Sequence, residues 1–479
     1  MLGLAAAGAV FIYQNQQPST HGASLAESRG EYIVEIRKDG FQPQTLTIKK
    51  GDTVIFIPVE EGEYWPAGDP HPEHYFLAGF DPQKPIESGS SWSFTFEEAD
   101  TWRYHDHLSL ASSGTIIVTG ENSDRNKNKS GEDCLYNDET RCFDEKIRRA
   151  LEEEGVEGAF ALFTRLYETK QAPAGCHWTA HLIGEEAYRS LRAGNTFIPT
   201  RATSHCTWGF YHGFMEVLLR EDRDLEKASE FCTLVGNELG WEAKDNCYHG
   251  IGHGFTDDPP NPNAWGDADA LLAPVLAACE QVLGNTVNKW EICSTGGYNV
   301  LLSFMAEGKY GFSLDREDPF NLCRSQPVRY AIACYGETAP YLDLLTGGDV
   351  SKIPTLIEDI ENKDIKELIV GVALASVSQR DVAKADLNNY IKGCRMFPED
   401  LRETCLDGVI WGLFLQGPPY KEYEEPLKFC ESKIFSEDEI DFCYKNTFSR
   451  IEKSYPYSPK KMKSVCESVP EAHREHCEI

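Results

Sequence analysis

Residues Cys247 to Gly254 read C-Y-H-G-I-G-H-G, and forty-one residues earlier Cys206 to Gly213 read C-T-W-G-F-Y-H-G. Cysteine, glycine and histidine recur at the same offsets, which marks a repeat and not an isolated motif. Taken in order, the cysteines fall into couples: Cys134/Cys142, Cys176/Cys206, Cys232/Cys247, Cys279/Cys293, Cys323/Cys334, Cys394/Cys405, Cys430/Cys443 and Cys466/Cys477. After the long couple Cys176/Cys206 the separation is 11 to 15 residues. The second cysteine tends to open an apolar segment such as C-L-D-G-V-I-W-G-L-F-L, and a Cys-x-x-Gly register runs through Gly209, Gly250, Gly296 and Gly408. This spacing predicts a repeating pair of helices, each pair stapled where its second helix begins. Because one hairpin cannot bury its own apolar face, the pairs are expected to stack into an α-solenoid or closed helical array. Pairing of sequence neighbours is an expectation, since connectivity is not fixed by sequence. Each staple is worth on the order of 2–4 kcal/mol.

Outward from the octet, residues 134–479 keep apolar residues at three-to-four spacing, as in D-I-K-E-L-I-V-G-V-A-L-A-S-V-S, and read as one disulfide-rich all-α domain. Before it, residues 121–133 are polar throughout and read as a linker. Residues 31–120 have a different grammar. Y-I-V-E-I, T-L-T-I, T-V-I-F-I, S-W-S-F-T-F, W-R-Y-H and G-T-I-I-V are short strands separated by Gly, Pro and Asp, which predicts an antiparallel β-sandwich. Residues 1–30 begin with an apolar run, M-L-G-L-A-A-A-G-A-V-F-I-Y, expected to be the remnant of a signal peptide or an N-terminal anchor.

The formal charge of −31 argues against nucleic acid or an anionic membrane surface as partner, leaving the N-terminal anchor as the one membrane attachment. Sixteen cysteines in couples point to an oxidising, extracytoplasmic setting: periplasmic, secreted, or anchored and facing outward. No H-E-x-x-H, C-x-x-C-H, Walker or G-x-S-x-G motif occurs, which gives little support to metalloprotease, c-type haem, nucleotide-hydrolysing or serine-hydrolase chemistry.

Within 31–120, the stretches D-G-F-Q-P-Q-T-L-T-I-K-K-G-D-T-V-I-F, W-P-A-G-D-P-H-P-E-H-Y-F, S-W-S-F-T-F-E-E-A-D-T-W-R-Y-H-D-H and G-T-I-I-V together resemble a cupredoxin, the fold of blue copper proteins. The resemblance implies copper. It departs from the family at the ligands: alignment on Gly114 and the last strand places Asp106 where the copper-binding cysteine belongs, and Ser109 and Ser112 near the other two loop ligands. Without a thiolate, a blue electron-transfer centre is not expected. T-W-R-Y-H-D-H is also similar to the His-x-His strand of multicopper oxidases. His105 and His107, two apart on a strand, face the same side, and with His71 or His74 they could hold Cu(II) or Zn(II). Asp106 faces away on an ideal strand unless a loop brings it in. The other reading is a degenerate cupredoxin whose histidines only bond backbone.

The helical region holds six histidines between residues 177 and 253: His177, His181, His205, His212, His249 and His253. His177, His181 and Glu185 are spaced i, i+4, i+8; Glu216 lies four beyond His212, and Asp257 four beyond His253. Histidine and carboxylate rows on facing helices can build a second transition-metal centre, with iron, copper, manganese or zinc as candidates. Against this, later units carry Asn299 or Trp411 in the slot of His212 and His253, so the slot also serves packing. Two functions remain open: a metal-binding protein, in its enzymatic form a metal-dependent oxidoreductase, or a non-catalytic binding protein that offers a small molecule or a protein its helical surface.

Overall fold

The computed structural model describes residues 29–69, 77, 79–120, 139–168, 176–204, 206–256, 262–283, 287–381, 387–415, 417, 421–454 and 459–477. The chain divides into two compact units, Met1–Asn128 and Lys129–Ile479.

The first unit is a two-sheet sandwich. Its strands are β1 (Glu31–Arg37), β2 (Gly40–Gln42), β3 (Thr45–Lys49), β4 (Thr53–Pro58), β5 (Glu63–Tyr64), β6 (Pro66–Gly68), β7 (Ile86–Glu87), β8 (Trp92–Thr95), β9 (Thr101–Asp106) and β10 (Ser109–Thr119). One sheet runs β2-β1-β4-β8, the other β3-β10-β9-β6, and β5 pairs with β7. The alternation in T-V-I-F-I-P becomes alternation of burial, with Val54, Phe56 and Pro58 inward. Phe80 fills the centre, its ring 5.6 Å from Trp92 and 5.7 Å from Tyr104. The sandwich is not purely antiparallel. β1 runs parallel to β4, and β3 parallel to β10. After the β1–β2 hairpin the chain crosses to the other sheet as β3 before returning beside β1, so β4 re-enters in the direction of β1.

The second unit is helical: α1 (Glu139–Glu168), α2 (Cys176–Arg192), α3 (Gly209–Val217), α4 (Leu225–Leu239), α5 (Trp241–Thr256), α6 (Ala268–Leu283), α7 (Val287–Glu307), α8 (Asn321–Ser325), α9 (Val328–Thr338), α10 (Lys363–Asp381), α11 (Leu387–Cys394), α12 (Arg402–Leu415), α13 (Glu424–Cys430), α14 (Glu437–Ser454) and α15 (Pro459–Glu467), then a 3₁₀ turn, Glu471–Cys477. Gly155, at φ 72°, interrupts α1. Six of the expected neighbour disulfides are formed, Cys232–Cys247, Cys279–Cys293, Cys323–Cys334, Cys394–Cys405, Cys430–Cys443 and Cys466–Cys477. Cys206 is also disulfide-bonded. Cys134 and the side chains of Cys142 and Cys176 lie outside the described residues. Three staples sit past the start of the second helix: Cys247, Cys293 and Cys334 each follow the first residue of their helix, Trp241, Val287 and Val328, by six positions. Cys405, by contrast, is the fourth residue of α12, and Cys206 precedes α3. Helices pack on one another along the chain, α3 on α5, α5 on α7, α7 on α9, α10 on α12 and α12 on α14, with α2 against α3; α10 carries no cysteine. Among the described residues no helix is long and apolar enough to cross a membrane.

Candidate metal centre

The stacking of α2, α3 and α5 is set by glycines. A methyl group on Gly209 would lie 2.4 Å from the His177 carbonyl oxygen, and one on Gly213 2.1 Å from that of His181. On the other side, Gly250 and Gly254 meet the Tyr211 and Met215 carbonyls at 2.7 and 2.8 Å by the same measure. No side chain fits at these distances, so backbones touch and the rings beside the glycines are forced into one space. His177 and His181, one turn apart on α2, have ring centroids 4.8 Å apart; His212 on α3 lies 5.0 and 5.2 Å from them. From α5, His249 and His253 come within 4.9 and 4.6 Å of His212. One ligand atom from each of His177, His181 and His212 lies within 4.8 Å of the others.

Hydrogen bonds orient the rings. His177 Nδ1 donates to the Cys206 carbonyl at 2.9 Å and lies 2.9 Å from Thr207 Oγ1. A carbonyl only accepts, so the neutral ring carries its proton on Nδ1 and its lone pair on Nε2. His249 Nδ1 lies 2.7 Å from Thr295 Oγ1, whose hydroxyl donates to the Ile292 carbonyl. That relay fixes the same tautomer. Glu216 Oε1 lies 2.8 Å from His253 Nδ1 and 3.3 Å from His181 Nδ1. These contacts fall short of good hydrogen-bond alignment for His253, but the negative charge still favours a proton on each Nδ1. The consequence is visible between His177 and His181, whose Nε2 atoms face each other at 3.1 Å. At this distance either an N–H of His181 donates to the lone pair of His177, or a cation lies between the two nitrogens. His212 Nδ1 is enclosed and has no hydrogen-bond partner among the described residues.

Burial, then the charge of His181, holds His177 down at about 3; burial and His253 do the same to His249. Burial also keeps His212 well below its usual value, with His253 adding to the effect. These rings are neutral, the form that binds metal. Burial pushes Glu216 upward, but His181 and His253 outweigh it and hold the carboxyl well below the usual range. The backbone at Cys206, Thr207 and Trp208 takes positive φ values of 55°, 53° and 67°. Three consecutive non-glycine residues in the left-handed region store strain, on the order of 1 kcal/mol or more each, which aims the Cys206 carbonyl at His177.

Glu185 does not join the cluster; two turns from His177 its face has rotated away, and Arg189 holds it at 3.0 Å. Asp257 and His205 lie outside the described residues. Spacing alone does not point to Thr207, Thr295 or the part-buried Glu337. Glu337 accepts from Asn299 Nδ2 at 2.8 Å, and burial pushes its carboxyl up to about 7. One signal was present: Cys334-x-x-Glu337 puts a carboxylate in the slot that Gly209, Gly250 and Gly296 occupy in other units.

In the sandwich, His71 and His74 lie outside the described residues. His105 Nδ1 lies 2.9 Å from Asp69 Oδ1, an acceptor that leaves Nε2 for another partner. His107 lies past the end of β9 with its ring 4.7 Å from that of Trp65 and 6.2 Å from that of His105. Asp106 turns inward, and its Oδ1 accepts the backbone N–H groups of Trp65 at 2.8 Å and Leu108 at 3.1 Å. Its carboxylate is thereby committed to holding the loop, and a blue-copper ligand set does not fit at this position. Among the described residues no group of three close ligand atoms gathers here.

Structural comparison finds cupredoxins, matched over a minor share of the chain. A copper(I) amicyanin variant is 26% identical over 19% of this chain and 83% of its own, with a TM-score of 0.17. The oxidised plastocyanin of Dryopteris crassirhizoma is 20% identical over 18% of this chain and 99% of its own, at 0.16. A Sinorhizobium pseudoazurin is 17% identical over 26% of this chain and 98% of its own, also at 0.16. No family model and no curated protein matches the chain.

Proposed function

We propose that this chain is an extracytoplasmic metal-binding protein whose helical unit holds a transition metal, copper or zinc, on His177, His181 and His212. The observation that carries this reading is the pair of Nε2 atoms of His177 and His181 facing each other at 3.1 Å, with His212 Nδ1 enclosed beside them and unpartnered. Anchoring of the non-ligating nitrogens by the Cys206 carbonyl and Glu216 is the outer-shell pattern of metal-bound histidine. Imidazole suits copper and zinc alike, and three protein ligands leave a position for water or substrate. When bound, the ion would act as a Lewis acid or redox centre. The chain's own part would be to orient the imidazoles, exclude bulk water, keep the ionised Glu216 beside His181 and His253, and hold a proton on Glu337. A carboxyl pushed to about 7, as on Glu337, is suited to general acid–base work.

The sandwich would add a histidine-only copper site on His105 and His107, completed by His71 or His74; the Asp69 contact with His105 supports it. Stacking of successive helices along the chain supports a helical-repeat array. Arg201, which precedes α3, lies 3.5 Å from Glu422, which follows α12, and this favours a closed array over an open one. Disulfides along the helical unit support an oxidising compartment.

Metal analysis of the full-length chain after loading with copper, iron and zinc tests the proposal. The expected result is at least one equivalent retained on desalting, lost in His177→Ala/His181→Ala and kept in His105→Ala/His107→Ala. Absence of stoichiometric metal from the loaded wild type sinks the reading and leaves the non-catalytic binding protein.

A further inference from the structure

A second group of ligand atoms lies near the C-terminal end of the helical sequence. E-A-H-R-E-H-C, residues 471–477, forms a 3₁₀ turn. In a 3₁₀ helix residues three apart eclipse, so His473 and His476 project on the same side. On an α-helix the same spacing would separate them by roughly 60°. The turn is pinned by the Cys466–Cys477 disulfide and by Arg474, whose Nε donates to the Val469 carbonyl at 2.9 Å. Opposite stands Asp441 on α14. Its Oδ1 lies 2.5 Å from His476 Nε2 and 3.7 Å from His473 Nδ1. The His473 ring is fixed by stacking on Tyr444, 4.7 Å away and 20° from parallel, one turn along α14 from Asp441. His473 Nδ1 is enclosed and has no hydrogen-bond partner among the described residues. One ligand atom from each of the three residues lies within 4.8 Å of the others.

We propose that Asp441, His473 and His476 form a second metal site, separate from the histidine cluster, that takes a divalent ion of the zinc class and fastens the C-terminal turn to α14. Two imidazole nitrogens and one carboxylate oxygen are a zinc ligand set with a fourth position left for water. With bonds of about 2.0 Å, the ligand-to-ligand edge of a tetrahedral site is roughly 3.3 Å. The observed 2.5 and 3.7 Å separations from the half-exposed Asp441 carboxylate bracket that edge. A bound ion would also give His473 Nδ1 the partner it lacks. The neighbouring acid on α14, Glu439, is already held by Arg395 at 2.5 Å, which leaves Asp441 as the carboxylate facing the turn.

The test is titration of the EDTA-treated full-length chain with Zn²⁺, wild type against two variants. His473→Phe keeps a ring on Tyr444 and removes one ligand; Asp441→Asn keeps a hydrogen bond to His476 and removes the charge. Each variant is expected to bind this Zn²⁺ equivalent at least about tenfold more weakly, and to lose the rise in melting temperature that Zn²⁺ gives the wild type. Circular dichroism without metal should match the wild type; if one variant fails it, the other carries the test. Wild-type stoichiometry and affinity in a folded variant would overturn the proposal, leaving a histidine–aspartate ion pair only.

Discussion

The β9 end of the sandwich and the α2–α3–α5 stack both begin from histidines in tight sequence register, yet only the second gathers three close ligand atoms among the described residues. On β9, His105 and His107 belong to one extended segment, and their rings are 6.2 Å apart. The carboxylate between them is consumed by two backbone N–H groups. In the helical unit, the three ligand atoms come from α2 and α3, whose backbones touch through glycine, with α5 packed against α3 in the same way. Convergence thus depends less on the spacing of histidines within an element than on how closely the elements that bear them can approach.

The largest effect expected from breaking that approach is at Gly213. In an exposed helix, Gly→Ala stabilises by about 1 kcal/mol. Here the added methyl group would lie 2.1 Å from the His181 carbonyl oxygen, and backbone cannot yield as a flexible side chain would. Gly213→Ala is therefore expected to destabilise by about 3 kcal/mol, the upper part of the range for overpacking. It should also abolish metal retention by separating α2 from α3. Urea unfolding with metal analysis checks both, and a stabilised variant would show that the glycines are not what brings the rings together.

Much of this contrast is legible in the chain. T-V-I-F-I-P announces a half-buried strand, the cysteine couples announce their own bonds, and Cys-x-x-Gly marks the contact face. What spacing leaves unread is of another kind. The parallel pairing of β1 with β4 follows from a crossover between sheets, which alternation within a strand does not encode. Thr207, Thr295 and Asp69 act as acceptors for histidines far along the chain or on a strained turn, and polar residues of that sort are common in any sequence. His473 and His476 do not align at a helical period of 3.6, because their alignment belongs to a 3₁₀ turn.

Acid separates the two regions next. His177 and His249 titrate at about 3 in the fold but near 6.5 when unfolded. Below 6.5 the unfolded chain takes up protons that the folded chain refuses, so this stability is full above pH 6.5 and is lost as pH falls toward 3. For the metal-free helical unit the loss should reach up to about 1.4 kcal/mol per histidine at pH 5.5. In the sandwich the sign is opposite. Burial raises Asp106 above its unfolded value despite the hydrogen bonds from Trp65 and Leu108, so its contribution is fullest in acid and is lost as pH rises through its folded pKa. Thermal unfolding of the EDTA-treated chain between pH 7.5 and 5 should show helical ellipticity lost progressively earlier while the β signal holds; parallel shifts of both signals would remove the distinction.

The smallest effect sharpens the comparison most, because the same chemical change is made in both regions. Asp106→Asn keeps an oxygen able to accept from Trp65 and Leu108 but buries an amide that needs a new partner, for a loss of about 1 kcal/mol. Since the Asp106 carboxylate holds backbone, the metal content of the chain should not change. Glu216→Gln likewise keeps an oxygen near His181 and His253 but removes the charge that holds their protons on Nδ1. Metal affinity of the helical unit should then weaken by about tenfold, the low end for an outer-shell partner. If Asp106→Asn lowered the metal content instead, its carboxylate would have to leave the backbone for an ion, and the sandwich site would be built around the position that cysteine holds in the blue copper proteins.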